Sequence, residues 1–178
     1  MRAPLTGLLA GLMTACGPPL GEYEVAELSI VDDLPSAIRH SRPPEPYLRI
    51  EVASDFDIVA DANGNIYSFK VGCGYFGDVE RMIFGPVTAG DAPMDLYDAE
   101  PAMPRDANGK AHYLLFIPVI AEARLAFSNS DKILPAHDLR TEDGDLCLAV
   151  KQRGYFITDS TSVTIRIPAA DIASVLDL

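Results

Sequence analysis

Apolar and polar residues alternate with a period of two along much of this chain. Leu48, Ile50 and Val52 alternate with Arg49 and Glu51, and Val163, Ile165 and Ile167 alternate with Thr164 and Arg166. Successive side chains of a strand point to opposite faces, so this period predicts strands with one buried face. Further strands are expected over residues 23–31, 66–71, 79–84, 146–152 and 154–158. The apolar run at 112–120 predicts a central strand. Leu125 and Phe127 share one face in 122–128, and 129–142 reads as irregular. Asp61-Ala62-Asn63-Gly64 and Asp106-Ala107-Asn108-Gly109 place Asn-Gly beside apolar runs. That dipeptide suits a type I′ hairpin turn, which needs positive φ at both central residues. Asp143-Gly144 marks another hairpin. Residues 85–105 are rich in Gly, Pro, Asp and Ala and read as a long loop.

Helical signals are few. One turn is expected over 33–39 with Asp33 as N-cap. A short C-terminal helix is expected over 168–176, with Pro168 at its start, Asp171 in the first turn and Ile172, Val175 and Leu176 on one side. The fold class expected is therefore mainly β: a single antiparallel β-sandwich-like domain over 23–178, with long loops and a short C-terminal helix.

The first residues follow a different pattern. Arg2 precedes the apolar, uncharged run 5–13, then Thr14, Ala15 and Cys16. A basic start, a short apolar middle and small residues at the end describe a secretory signal, too short to span a bilayer. Met13-Thr14-Ala15-Cys16 resembles the lipobox of bacterial lipoproteins. The likeness covers only the first sixteen residues, Met13 stands where that family most often has Leu, and no family is recognised for the rest of the chain. The resemblance implies cleavage before Cys16, lipid on Cys16, a short tether over 16–22 and residence in the bacterial cell envelope. Gly17, where an Asp would signal retention in the inner membrane, points to the outer membrane, on its periplasmic or surface side.

That compartment bears on the other two cysteines. With Cys16 lipidated, Cys73 and Cys147 remain, an even pair where oxidation is favoured, and a disulfide between them is expected. The alternative is two separate buried thiols. Parity opposes the bridge: Cys147 alternates with Leu146, Leu148 and Val150, whereas Cys73 continues the face of Tyr67, Phe69 and Val71.

Charge narrows the partners. Lys and Arg number 14 against 26 Asp and Glu, a formal −12. So acidic a chain is a poor match for a phosphate backbone, and no nucleic acid is expected. The partners expected are the membrane, through the lipid on Cys16, and an unknown envelope protein or small ligand.

Residues able to carry chemistry are scattered. Gly72-Cys73-Gly74-Tyr75-Phe76-Gly77 matches the letters of a dinucleotide-binding loop, but no crossover helix follows, so it reads as a turn, and no cofactor is expected. Asp61, Asn63 and Asn65 have the spacing of a calcium loop, but Ile66 and Gly72 stand where that loop needs Gly and an acidic ligand. Asp143 and Asp145 are the next candidates for calcium. His137-Asp138 resembles part of a catalytic dyad, yet no Ser lies in a Gly-x-Ser-x-Gly elbow. His112 reads as structural or edge-exposed. Tyr75, Phe76, Tyr97 and His137 are the weak candidates for a ligand face, the aromatics being better suited to packing under the 85–105 loop. No catalytic or metal-ligating residue is nominated. The function expected is a non-enzymatic binding or interaction module, with a small periplasmic hydrolase and a calcium-dependent adhesion or structural domain as alternatives.

Overall fold

The computed structural model describes residues 20–36, 38, 45–61, 66–71, 73, 81–88, 104–125, 133–153 and 160–177. Twelve strands and two short helices lie among them. Four strands, β1 (Tyr23–Val31), β2 (Tyr47–Ser54), β4 (Phe84–Thr88) and β5 (Ala111–Pro118), form an antiparallel sheet A in the order β1-β2-β5-β4. In sheet B, β10 (Leu146–Arg153) pairs on one side with β3 (Ile66–Val71) and on the other with β11 (Ser160–Thr161) and β12 (Ile165–Ile167). Two short ladders, β6 (Ile120–Ala121) with β9 (His137–Asp138) and β7 (Arg124–Leu125) with β8 (Ile133–Leu134), extend β5. Helix α1 (Ile58–Asp61) follows β2, and α2 (Ala169–Val175) follows β12.

The period-two pattern decides which faces meet. Leu48, Ile50 and Val52 of β2 and Tyr113, Leu115 and Ile117 of β5 turn to one side of sheet A. They join Val71, Leu146, Leu148, Val150, Ile165 and Ile167 of sheet B in one core, closed by Ile172 of α2. The pairings Leu48↔Ile117, Ile50↔Leu115 and Val52↔Tyr113 set this register. A slip of one residue would turn Arg49 and Glu51 into the core. The protein is thus mainly β, two antiparallel layers with a short C-terminal helix, as the patterning implies. The core also takes in Leu20, 2% exposed, from the stretch assigned to the tether.

Strand β5, the central strand its apolar run predicts, is buried on both faces. Its second face carries Leu114 and Phe116, which join Leu34, Tyr47 and Val87 in a smaller cluster on the outside of sheet A. The 32–38 segment covers this cluster. Among its described residues a turn is closed by the Ile38 N–H on the Pro35 carbonyl at 3.0 Å, while the Asp33 carboxylate accepts from Leu34 N–H at 2.9 Å. Leu34, 5% exposed, is buried against the sheet.

Several elements depart from the sequence reading. The strand expected at 79–84 begins only at Phe84 and continues through Gly85 and Pro86 to Thr88. Gly85 has φ +99°, and a Cβ there would lie 2.6 Å from the Leu114 carbonyl oxygen, so the close approach of β4 to β5 at its register shift requires glycine. Residues 133–134 and 137–138, expected to be irregular, pair with the continuation of β5, which turns apolar Leu134 and Leu139 inward. The apolar stretch after β2, which the sequence reading left unassigned, makes α1. The turn at 106–109 is not type I′. Gly109 N–H bonds to the Asp106 carbonyl at 3.0 Å, Asp106 N–H bonds to the Lys110 carbonyl at 2.9 Å, and only Gly109 has positive φ (+79°). This is a three-residue loop with glycine in the left-handed position. The companion Asn63-Gly64 turn and the strand expected at 154–158 lie outside the described residues.

Candidate functional site

The outer face of sheet A divides in two. Near Val31 and Tyr47 it is apolar, and towards Ala53 and Ala111 it is charged. Between them a pocket of about 300 Å³ is lined by Val31, Asp33, Leu34, Pro35, Arg49 and Phe116. β1 supplies Val31, β2 supplies Arg49 and β5 supplies Phe116; the 32–38 segment makes the wall. Period two puts all three strand residues on one face, and the pairing Arg49↔Phe116 sets guanidinium and ring side by side.

Arg49 is anchored on both sides. Its guanidinium lies 3.3 Å from Glu27 of β1 and 2.7 Å from Glu51 of β2. The other oxygen of Glu51 lies 2.7 Å from His112 Nδ1, and His112 Nε2 lies 3.2 Å from Asp106. His112 pairs with Ala53, so Glu51 is its diagonal neighbour across the strands. The Asp106 carboxylate also accepts the N–H groups of Asn108 and Lys110, both at 2.8 Å. Lys110 extends to Glu24 of β1 at 2.5 Å.

The electrostatics follow from these contacts. Burial of the His112 ring disfavours its charged form, but the hydrogen bonds it donates to Asp106 and Glu51, with the charges of both, outweigh it and hold the imidazole above its ordinary value. The backbone N–H of Lys110, then the His112 side chain, hold Asp106 below the usual carboxylate range. With both ring nitrogens facing carboxylates, the geometry holds a proton on His112 and leaves no free nitrogen to take one from a substrate.

His137 lies elsewhere. It is 7% exposed, and its Nε2 donates to the Pro118 carbonyl at 2.8 Å. Its Nδ1 has no hydrogen-bond partner among the described residues. Asp138 does not orient it: that carboxylate takes two bonds from the Arg140 guanidinium, at 2.9 and 2.7 Å, which hold its pKa at about 2. Asp145 accepts from Ala169 N–H at 2.9 Å and from Arg166, so it caps α2 and is held below the ordinary carboxylate range by those two bonds. Among the described residues no three His, Cys, Asp or Glu side chains gather to hold a metal ion.

Cys73 and Cys147 form a disulfide, with α-carbons 4.9 Å apart. Parity is respected. Cys147 pairs with Arg166 and faces away from the core. Strand β3 ends at Val71, so Cys73 is not bound to the inward face its alternation implied. Cys16, Tyr75, Phe76 and Tyr97 lie outside the described residues, as do Asn63 and Asn65 of the calcium-like spacing.

The sequence reading missed Arg49, Glu51 and Asp106 as a group with His112. The available signal was parity: Arg49 and Glu51 are the polar positions of an alternating strand, and His112 opens the next one. Neither family models, curated proteins nor solved structures match this chain. Among the described residues no helix is long and apolar enough to cross a membrane, which says nothing of strands.

Proposed function

We infer that this protein is a non-enzymatic lipoprotein of the bacterial cell envelope, anchored through Cys16, whose sandwich domain binds a ligand or partner on the outer face of sheet A. The observation that carries the reading is the junction between signal and fold. Met13-Thr14-Ala15-Cys16 ends the signal-like run, and Leu20 already belongs to the core. Four residues span at most about 14 Å when extended. Acyl chains on Cys16 would therefore hold the domain against the bilayer surface. Two or three chains suffice for stable anchoring, where one does not. The Cys73–Cys147 disulfide suits an oxidising compartment. Gly17 in place of Asp favours the outer membrane. Within the domain, the Arg49 pocket combines apolar walls with charged groups, the usual make-up of a small-ligand site. A hydrolase draws less support, because His137 is buried beside a carbonyl and both nitrogens of His112 are engaged.

Expression in a bacterium with a lipoprotein pathway tests the reading. The protein should enter the membrane fraction, with a mature mass that lacks residues 1–15 and carries lipid on Cys16. Cys16→Ser should release it or leave it unprocessed. An intact Met1 or an unmodified Cys16 in the mature form overturns the proposal.

A further inference from the structure

We propose that His112 is a pH-sensitive latch: as an imidazolium it ties the Asp106 turn to Glu51 of β2, and on losing its proton it lets Asp106 go. The inference rests on geometry within the folded domain and does not depend on the lipid anchor.

A neutral imidazole has one N–H and one lone pair. His112 presents both nitrogens to carboxylate oxygens, at 2.7 Å to Glu51 and 3.2 Å to Asp106. Only the doubly protonated ring satisfies both. Once one proton leaves, a lone pair faces a carboxylate and that contact becomes repulsive. The contact to Asp106 yields, being longer and more exposed, with Asp106 at 30% side-chain exposure against 15% for Glu51.

The charged surroundings do not supply a substitute. From β2, Glu51 faces the ring and Arg49 lies behind Glu51; from β1, Glu27 is paired to Arg49 and Glu24 to Lys110. The described residues of β4 contribute no ionisable side chain. Arg105 holds the far side of the turn through the Gly109 and Asp55 carbonyls, at 2.6 and 3.0 Å. Loss of the proton therefore frees the Asp106 side of the turn without unfolding the hairpin.

The sign follows from linkage. His112 is raised in the folded state, so the latch is closed below the ordinary value of 6.5 and opens as pH climbs through the higher folded value. Glu51 bridges Arg49 and His112, one oxygen to each, so the same proton sets how much of the Glu51 charge remains for Arg49 at the pocket.

Nuclear magnetic resonance of the folded protein between about pH 5 and 9 tests this, across the range in which a histidine changes charge. The His112 ring should titrate above the ordinary histidine value. The amide signals of Asn108 and Lys110, which donate to Asp106, should move with the same midpoint. Asp106→Asn keeps an acceptor for those amides and removes the charge, so it should lower the His112 midpoint and abolish the linked amide shifts. His112→Gln should leave the same amides flat across the range. A His112 midpoint at or below the ordinary value overturns the latch. So does normal titration of His112 while the Asn108 and Lys110 amides stay still.

Discussion

The Tyr113 hydroxyl joins the core of sheet A to the segment that follows β2, and its removal should be costly out of proportion to its size. The phenol accepts the Ile58 N–H at 3.0 Å and donates to the Phe56 carbonyl at 2.9 Å. Tyr113→Phe keeps the ring in place, with its tilted contact to Tyr23 at 6.5 Å between centroids, and deletes both bonds. Ile58 is 0% exposed, so its orphaned N–H has no route to water, a loss of about 1–3 kcal/mol. The Phe56 carbonyl sits on a half-buried residue and can rehydrate, so its bond contributes the ordinary net of about 0.5–1.5 kcal/mol. Together these give about 1.5–4.5 kcal/mol. For a domain of this size that lowers Tm by about 3–18 °C. Urea unfolding should show a lower midpoint with an unchanged slope, since the same surface is exposed on unfolding. Alkaline pH offers a second readout. Burial pushes the Tyr113 pKa from 10.0 up to about 12, so the folded state holds a proton that the unfolded chain releases. Stability from this group is full below 10.0 and falls as pH rises towards about 12, a decline that Tyr113→Phe should lack. A change below about 0.5 kcal/mol, the level of a neutral surface substitution, with an unaltered alkaline profile, would refute the assignment of this hydroxyl as a buried tie.

Gly85→Ala should destabilise more than Gly109→Ala in thermal melts. Both positions have positive φ, which costs about 1–2 kcal/mol with a side chain, but at Gly85 the new Cβ also meets the Leu114 carbonyl, whereas at Gly109 nothing lies within 4 Å. Equal losses would show that the approach of β4 to β5 is looser than described. Reduction of Cys73–Cys147 should cost about 2–5 kcal/mol, because the bridge closes a long loop in the unfolded chain. The near-ultraviolet spectrum of the core aromatics should stay constant, since the bridge lies outside the core. Thiol labelling of the denatured, unreduced protein should find neither cysteine, and labelling of either would refute the bridge.

Elements whose periodicity is local were readable in the sequence. β1, β2, β10 and α2 fall where alternation and the Pro168 start place them, and the unbroken run of β5 announced a central strand. Pairing was not readable, because the partner of β3 is β10, some eighty positions away, and no local pattern encodes that. The charged cluster was hidden for the same reason. Arg49 and Glu51 read as the solvent side of a strand, His112 as an edge residue and Asp106 as a turn former, and only the β2–β5 register brings them together. At Asp106–Gly109 the local chemistry was read too narrowly, since Asn-Gly also serves a three-residue loop in which glycine alone takes positive φ. The parity of Cys147 was read well, but it constrained only one half of a pair whose other half lies beyond its strand.

Sheet A ends, among the described residues, in β1 on one side and β4 on the other, and both are irregular. The pairing of β1 shifts between Val25 and Glu27, and that of β4 between Phe84 and Val87, where Pro86 offers no N–H. A foreign strand laid along either border would therefore meet a break within a few residues. Growth of the sheet from molecule to molecule, the first step towards a fibril, is thus interrupted at both ends by the backbone itself. At the borders of sheet A, however densely the protein is crowded, a neighbour finds side chains to recognise and only a broken ladder to extend.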